Sequence, residues 1–260
     1  MRAVAGVNPP AAGPHRSGRV WVALALLAAT VGVTGMLGRW QLHRAQEKLA
    51  TLAELEAGRA LPPLVLDAAT PPAELRPWRP AMVRGRWLAD RTVLLENRMS
   101  AGRPGFWVVT PLAVEQGAAV AVLRGWLPRP VPDGPVRVQT PPGPVEVSGV
   151  LLARVPRLLD LGALSGRPQA WPEPWPQADG APPRMQNLDT GAYGQAAGLA
   201  LLPAVLEQTG AQADGLLREW AGPPVNVDTH RGYALQWFSF AAIAAIAFGV
   251  LLVRHFRSTR

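Results

Sequence analysis

Residue types able to do chemistry are few in this chain: four histidines, no cysteine and five methionines in 260 residues. His15 and His255 stand in the terminal tails, so His43 and His230 alone are too few for a multi-histidine metal site. Without thiols there is no C-x-x-C-H haem attachment, no thiolate copper site and no cysteine-ligated zinc. Met36, Met82, Met99 and Met185 are scattered and form no copper-binding tract. A G-x-S-x-G elbow, an H-E-x-x-H pair, a P-loop, a dinucleotide-binding glycine fingerprint and an EF-hand loop are all missing, so no enzyme is expected. Asp160 and Asp189 read more simply as loop or cap residues than as paired carboxylates. What stands out by its setting is His230, in Asp228-Thr229-His230-Arg231-Gly232-Tyr233-Ala234-Leu235-Gln236-Trp237-Phe238. There a charged segment runs directly into an apolar one. On residue chemistry alone His230 is most plainly a polar residue at a membrane interface, with Tyr233 and Trp237 at headgroup level.

The elements that must position this residue are two apolar spans. No Lys, Arg, Asp, Glu or His occurs between Arg231 and Arg254, or between Arg19 and Arg39. At ~1.5 Å per residue each run is long enough to cross a hydrocarbon core of ~30 Å. A cleaved signal peptide is the rival reading of the first span. It ranks lower because the run exceeds a usual h-region and is followed by a charged helical pattern rather than a small-x-small site. Arg2, Arg16 and Arg19 precede the first span and Arg254, Arg257 and Arg260 follow the second, with no acid in either tail. Positive tails stay inside, so both termini are expected to be cytoplasmic. Those six residues supply most of the net charge of +8, which therefore reports orientation in a lipid bilayer and no nucleic-acid surface. Lys48 is the sole lysine among the basic residues, a composition bias to which we attach no function.

The expected organisation is a cytoplasmic tail (1–19), a transmembrane helix (20–38), an extracytoplasmic domain (39–231), a second transmembrane helix (232–253) and a tail (254–260). Lacking disulfides, the external domain must be held by its core. Leu42, Ala45, Leu49 and Leu52 keep helical spacing, so the first helix continues outward for several turns, with Gly58 as its stop. Pro62 to Arg79 reads as a linker. Strand patterns follow at 82–88, 92–97, 105–112, 118–127 and 145–152, with connections at 97–102 and 115–117. A short helix over 189–198 capped by Asp189 precedes strands at 201–207 and 216–220. The Pro-rich stretch 168–183 places Trp171 and Trp175 in an extended, exposed segment or in a loop that packs its own tryptophans. No long helix separates the strands, which argues against a doubly wound parallel sheet. The fold class is α+β: two terminal transmembrane helices flanking one mainly antiparallel β extracytoplasmic domain or partial barrel.

Gly38-Arg39-Trp40-Gln41, Val83-Arg84-Gly85-Arg86-Trp87, Pro104-Gly105-Phe106-Trp107, Arg124-Gly125-Trp126 and His230 to Phe238, in this order, resemble segments of the surfeit locus protein 1 family. Gly38-Arg39-Trp40-Gln41 with Arg44 and Lys48 is similar to its N-terminal signature, and Val83-Arg84-Gly85-Arg86-Trp87 to its V-x-G strand. Asn97-Arg98, Gly102 and Pro104-Gly105-Phe106-Trp107-Val108-Val109-Thr110-Pro111 resemble its N-R…G-x-P-G-x…T-P motif. Arg124-Gly125-Trp126-Leu127-Pro128 resembles its R-G-W motif, and His230 to Phe238 its H-x-x-Y-A-x-x-W-F pattern. Leu123 and Glu47 depart from the expected polar and aromatic residues, and 168–183 matches no motif.

The resemblance implies assembly of haem-copper cytochrome c oxidase in a bacterial plasma (inner) membrane, at the stage where haem a is inserted into subunit I. It implies His230 as a haem a ligand, since a neutral imidazole is a good axial ligand. Arg231 would pair with a propionate, and Trp40, Tyr233, Trp237 and Phe238 would offer ring surface. His43 is a weaker candidate for a second ligand. Expected partners are oxidase subunit I, the haem a synthesis machinery and the bilayer. The alternative is a scaffold that stabilises subunit I without holding haem, in which Arg98, Gly105, Arg124, Gly125 and Trp126 serve the fold or a partner surface. The glycines of the R-G-W and P-G-F motifs are expected at turns or bulges.

Overall fold

A computed structural model describes residues 15–159, 171–173, 175–176, 180–220, 222 and 226–258. They fall into a helical unit drawn from the two ends of the chain and a β unit spanning Ala53–Pro223. Helix α1 covers His15–Arg59. Strands β1 (Leu64–Leu66), β2 (Pro80–Trp87), β3 (Val93–Ser100), β4 (Arg103–Ala113), β5 (Ala118–Pro128), β6 (Pro144–Leu152), β7 (Arg184–Met185) and β8 (Ala200–Gln208) follow. Helix α2 (Thr190–Ala197) precedes β8, and α3 (Val227–Ser258) ends the chain. The first helix stops where expected, but the agent is Pro62-Pro63, which cannot extend the ladder, more than Gly58.

The sheet runs β1-β2-β6-β8-β5-β4-β3-β7. Arg86 and Trp87 of β2 also pair with Ala113 and Leu112 of β4, closing β2, β6, β8, β5 and β4 into a five-stranded ring. Pairing is antiparallel except for β1–β2, β3–β7 and β5–β8. This is the mainly antiparallel partial barrel that strand spacing predicts. The parallel β5–β8 pair is permitted because β6, β7 and α2 intervene between its strands.

The ring has an interior and a covered exterior, and β5 supplies both. Val120 and Val122 point into a cluster with Val83, Leu112, Val147, Leu151 and Leu206. Their neighbours Ala121 and Leu123 join Val93, Leu95, Val109, Val205 and Tyr193 on the opposite face. Two-sided burial explains why the strand reads as a continuous apolar run rather than an alternating one. Each such side chain contributes about 1.5–3 kcal/mol on leaving water. Helix α2 closes the outer face. Asp189 caps it by accepting from the Ala192 backbone N–H at 3.0 Å, and Gly198 ends it in the left-handed region (φ 67°). Buried Tyr193 donates its hydroxyl to the Arg91 carbonyl at 2.7 Å, and burial pushes its pKa well up.

Three expectations about the elements need correction. The supposed linker 62–79 contains β1 and a 3-10 turn at Pro72–Glu74. Leu64 and Leu66 are buried beside β2 while Val65 is exposed, a short pattern that the surrounding prolines hid. Residues 97–100 continue β3, with a bulge between Leu95 and Arg98 and Asn97 at φ 59°, so the turn is only Ala101-Gly102. Residues 216–220 form no strand; Leu217 makes one bridge to Trp126, while Asp214 Oδ1 accepts from the Leu216 N–H and holds a turn. Of the two arrangements expected for Trp171 and Trp175, the structure has the packed one: both are half-buried, their rings lie 4.9 Å apart, and Trp171 stacks on Tyr193 at 5.7 Å. Asp160 and most of 160–179 lie outside the described residues, as does the lead 1–14.

The R-G-W and N-R residues are fold residues. Register slips between Val108/Val109 and Gly125/Leu123, leaving Arg124 as the bulged residue. Its guanidinium is wholly buried, donating to Thr140 Oγ1 (2.9 Å), the Gln139 carbonyl (2.8 Å) and Asp214 Oδ2 (3.0 Å), and lies 4.6 Å from the Trp87 ring. Burial pulls the Arg124 pKa down against the opposing pull of Asp214. Arg218 donates to the same carboxylate oxygen at 2.6 Å. Gly125 borders the bulge as expected, and a Cβ there would meet Leu216 Cβ at 2.7 Å. Gly105 is in no turn: it sits inside β4 under the Trp126 ring. Arg98 is also buried, lies 4.3 Å from the Trp107 ring, and is lowered to about 10 by desolvation.

Candidate functional site

The helical unit pairs α1 with α3. Both helices are long and apolar enough to cross a membrane. Most of their apolar side chains are exposed, including Leu26, Val33, Met36, Leu235, Ile243 and Ile246. In water that would be a large exposed patch; in hydrocarbon it costs nothing.

The covered positions follow a rule. On α1 they include Leu24, Leu27, Val31, Thr34, Gly38, Gln41 and Ala45; on α3, Val227, His230, Ala234, Trp237, Ala241, Ala244 and Phe248. Alternating steps of three and four define a seam with a 3.5-residue period, the repeat of a left-handed antiparallel or parallel helix pair. Here the pair is antiparallel. Trp21 meets His255 at 5.6 Å near one end, and Gln41 meets His230 towards the other. Small residues let the backbones approach: a Cβ on Gly38 would come within 2.8 Å of the Phe238 ring. Thr34, the buried hydroxyl of the seam, is satisfied by the Thr30 carbonyl within its own helix.

His230 lies in the first turns of α3, which Asn226 caps by accepting from the Thr229 N–H at 3.3 Å. The imidazole is half-buried, and its Nδ1 is 2.8 Å from Gln41 Oε1. An amide oxygen only accepts, so in this arrangement Nδ1 is the donor, and a neutral ring would then carry its lone pair on Nε2. Gln41 belongs to the Gly-Arg-Trp-Gln segment singled out in the sequence, but its contact with a residue 189 positions away could not be read there. The heptad spacing was the signal available: Gln41 and His230 are polar residues at seam positions.

Of the other expected site residues, only Trp237 is on the seam. Arg231, Tyr233 and Trp40 are exposed, the last two by about half. Trp237 occupies a seam position two turns beyond His230 and meets Phe240 edge-on at 5.9 Å. The structure does not bring His43 to His230. Its side chain is 73% exposed, 3.5 Å from Glu47, and stands two residues, about 200° of helix, from Gln41. The same Glu47 accepts from Arg44 at 2.8 Å, so the departure from an aromatic residue there serves an exposed ion pair. Among the described residues no group of three or more His, Cys, Asp or Glu side chains could hold a metal ion.

A single nitrogen ligand with ring surface beside it is gathered here, not the several ligands that a bare ion takes. One imidazole has an engaged Nδ1 and an Nε2 with no hydrogen-bond partner among the described residues. Beside it stands an exposed guanidinium, and aromatic rings follow one and two turns along the helix. Set against known proteins, residues 28–242 match the model of the SURF1 family. A SURF1-like protein of Mycobacterium tuberculosis is 28% identical over 250 residues, 92% of this chain and 86% of that protein. A SURF1-like protein of Rickettsia felis is 33% identical over 95 residues, 35% of this chain and 39% of its own length. Surfeit locus protein 1 of Rattus norvegicus is 32% identical over 126 residues, 42% and 39% respectively.

Proposed function

Because the chain belongs to the SURF1 family, we propose that it assists assembly of haem-copper cytochrome c oxidase by holding haem a on His230 for transfer to subunit I. The observation that carries this is the His230 imidazole, half-buried at the seam with Nδ1 held by Gln41 and Nε2 left with a lone pair. Metal-bound histidines typically donate their second N–H to an oxygen acceptor, which orients the ring and raises its basicity. Arg231 would neutralise a propionate, and Tyr233, Trp237 and Trp40 would pack against the macrocycle. Haem bound there would supply an iron that takes a nitrogen donor, and the protein would supply one imidazole in a partly exposed setting. Such a setting suits release as well as capture. The role is non-catalytic, in the plasma membrane, with both termini cytoplasmic and the β unit outside.

A second reading rests on the same hydrogen bond. A buried polar pair at a helix seam sets register without any cofactor, and the protein would then scaffold subunit I with His230 as a structural residue. The two are separated by the visible spectrum of the purified protein co-expressed with haem a synthesis. A haem a signal lost in His230→Ala at unchanged protein level supports the holding role. No haem in the wild type, or a signal indifferent to the substitution, leaves the scaffold.

A further inference from the structure

The exposed aromatic rings, the buried Arg124–Asp214–Arg218 cluster and the Gln41–His230 contact are the features that a simple membrane anchor does not need. The first has no partner that the structure identifies, and the second is sealed inside the β unit. The third has a consequence for ligation. Of the two nitrogens of a neutral imidazole, only the unprotonated one can take a metal, so whatever fixes the tautomer chooses the ligating atom.

We propose that Gln41 is the positioning residue of the site: it fixes His230 in the Nδ1–H tautomer and so presents Nε2 as the ligand nitrogen. This rests on the haem reading given above and deepens it. Three facts on the molecule support it. The contact is short, 2.8 Å, and made to the amide oxygen. Both residues occupy seam positions, so the two helices that frame them also hold them in register. The neighbouring seam positions carry apolar or small residues, Gly38, Ala45, Val227 and Ala234, whose side chains have no acceptor atom. In that setting the opposite tautomer would face the amide oxygen with a second lone pair, and the pair would repel rather than bind. Gln41 thus couples ligand geometry to helix pairing, because anything that shifts α1 along α3 also releases the imidazole.

The test uses the full chain in detergent, purified without haem, with histidine ring nitrogens labelled with ¹⁵N. Four histidines make the spectrum tractable, and His230→Ala identifies the signal of interest. An Nδ1–H tautomer for His230 that Gln41→Leu abolishes and Gln41→Glu preserves is the expected result. Titration with haemin is the second readout: Gln41→Leu should weaken binding about 10- to 100-fold relative to the wild type, while Gln41→Glu should retain it. An Nε2–H tautomer in the wild type, which a reversed amide would give, overturns the proposal. So does a tautomer unmoved by Gln41→Leu, or haemin that the wild type binds and Gln41→Leu binds equally well. If the wild type shows the expected tautomer but takes no haemin, the haem reading fails while the assignment of Gln41 stands.

Discussion

At the residue scale, the β unit buries one carboxylate between two guanidiniums. Asp214 is fully buried and receives both Arg124 and Arg218 through a single oxygen, Oδ2, while its Oδ1 accepts from the Leu216 N–H. Two guanidiniums and one carboxylate leave a net positive charge inside the protein. Thr140, the Gln139 carbonyl and the Trp87 face spread that charge over hydrogen bonds and a ring. Removing the anion would leave two cations without a counter-charge, a far heavier penalty than losing an exposed pair. Asp214→Ala should therefore cost about 3–5 kcal/mol, seen as a large fall in the thermal transition of the detergent-solubilised protein. Glu146→Ala, which breaks only the exposed pair with Arg84, should cost about 1 kcal/mol or less. Equal effects would show that the buried cluster is not what holds residues 139–140 and 214–218 to β5. Arg124 was legible as part of an R-G-W motif; Asp214 was not, since nothing in a sequence ties a lone aspartate to an arginine 90 positions away. A neighbouring case shows the same limit. Glu207 on β8 is pushed up to about 7 by burial, against the pull of Arg59, although an E-Q pair at a strand end reads as solvated.

At the scale of elements, the strength of the periodic signal decided what could be read. Long apolar runs gave α1 and α3, and strands of eight or more residues fell where alternation or continuous apolar stretches placed them. Strands β1 and β7, three and two residues long, carry too few positions for any period to show. The seam was present in the sequence as steps of three and four but was masked, because lipid-facing positions of a membrane helix are apolar too. Only the small and polar residues mark its course. Gly38 is the sharpest of these. A methyl there would need the Phe238 ring to turn outward, which its partial exposure allows; a larger group would push the helices apart. Gly38→Ala should leave the His230 ring signal intact. Gly38→Leu should lose about 1–3 kcal/mol of helix pairing and average the two tautomers. A Gly38→Leu protein with an unchanged imidazole spectrum would disconnect the seam from the site.

At the scale of the whole molecule, the proposed orientation across a membrane rests on six arginines flanking the two apolar spans. Each span is apolar enough to cross, yet apolarity alone has no direction, and an N-terminal apolar helix is also what a cleaved leader looks like. Here α1 does not end with the apolar run. It continues as one helix through Arg39, Arg44 and Lys48 to Arg59, and its seam residues Gln41 and Ala45 lie beyond the last uncharged position, Gly38. Cleavage within that stretch would remove the partner of His230, so retention of the first helix and the proposed site stand or fall together. Because the chain has no cysteine, single thiols can report each side without a competing background. Ser258→Cys, at the end of α3, should react with a membrane-impermeant maleimide only after cells are permeabilised. Ser148→Cys, in β6 of the β unit, should react in cells whose inner membrane is intact. Both positions reacting on the same side would mean that one span does not cross. The reverse pattern would place the β unit inside, where His230 would face the cytoplasm and a role in loading haem from the outer face could not hold.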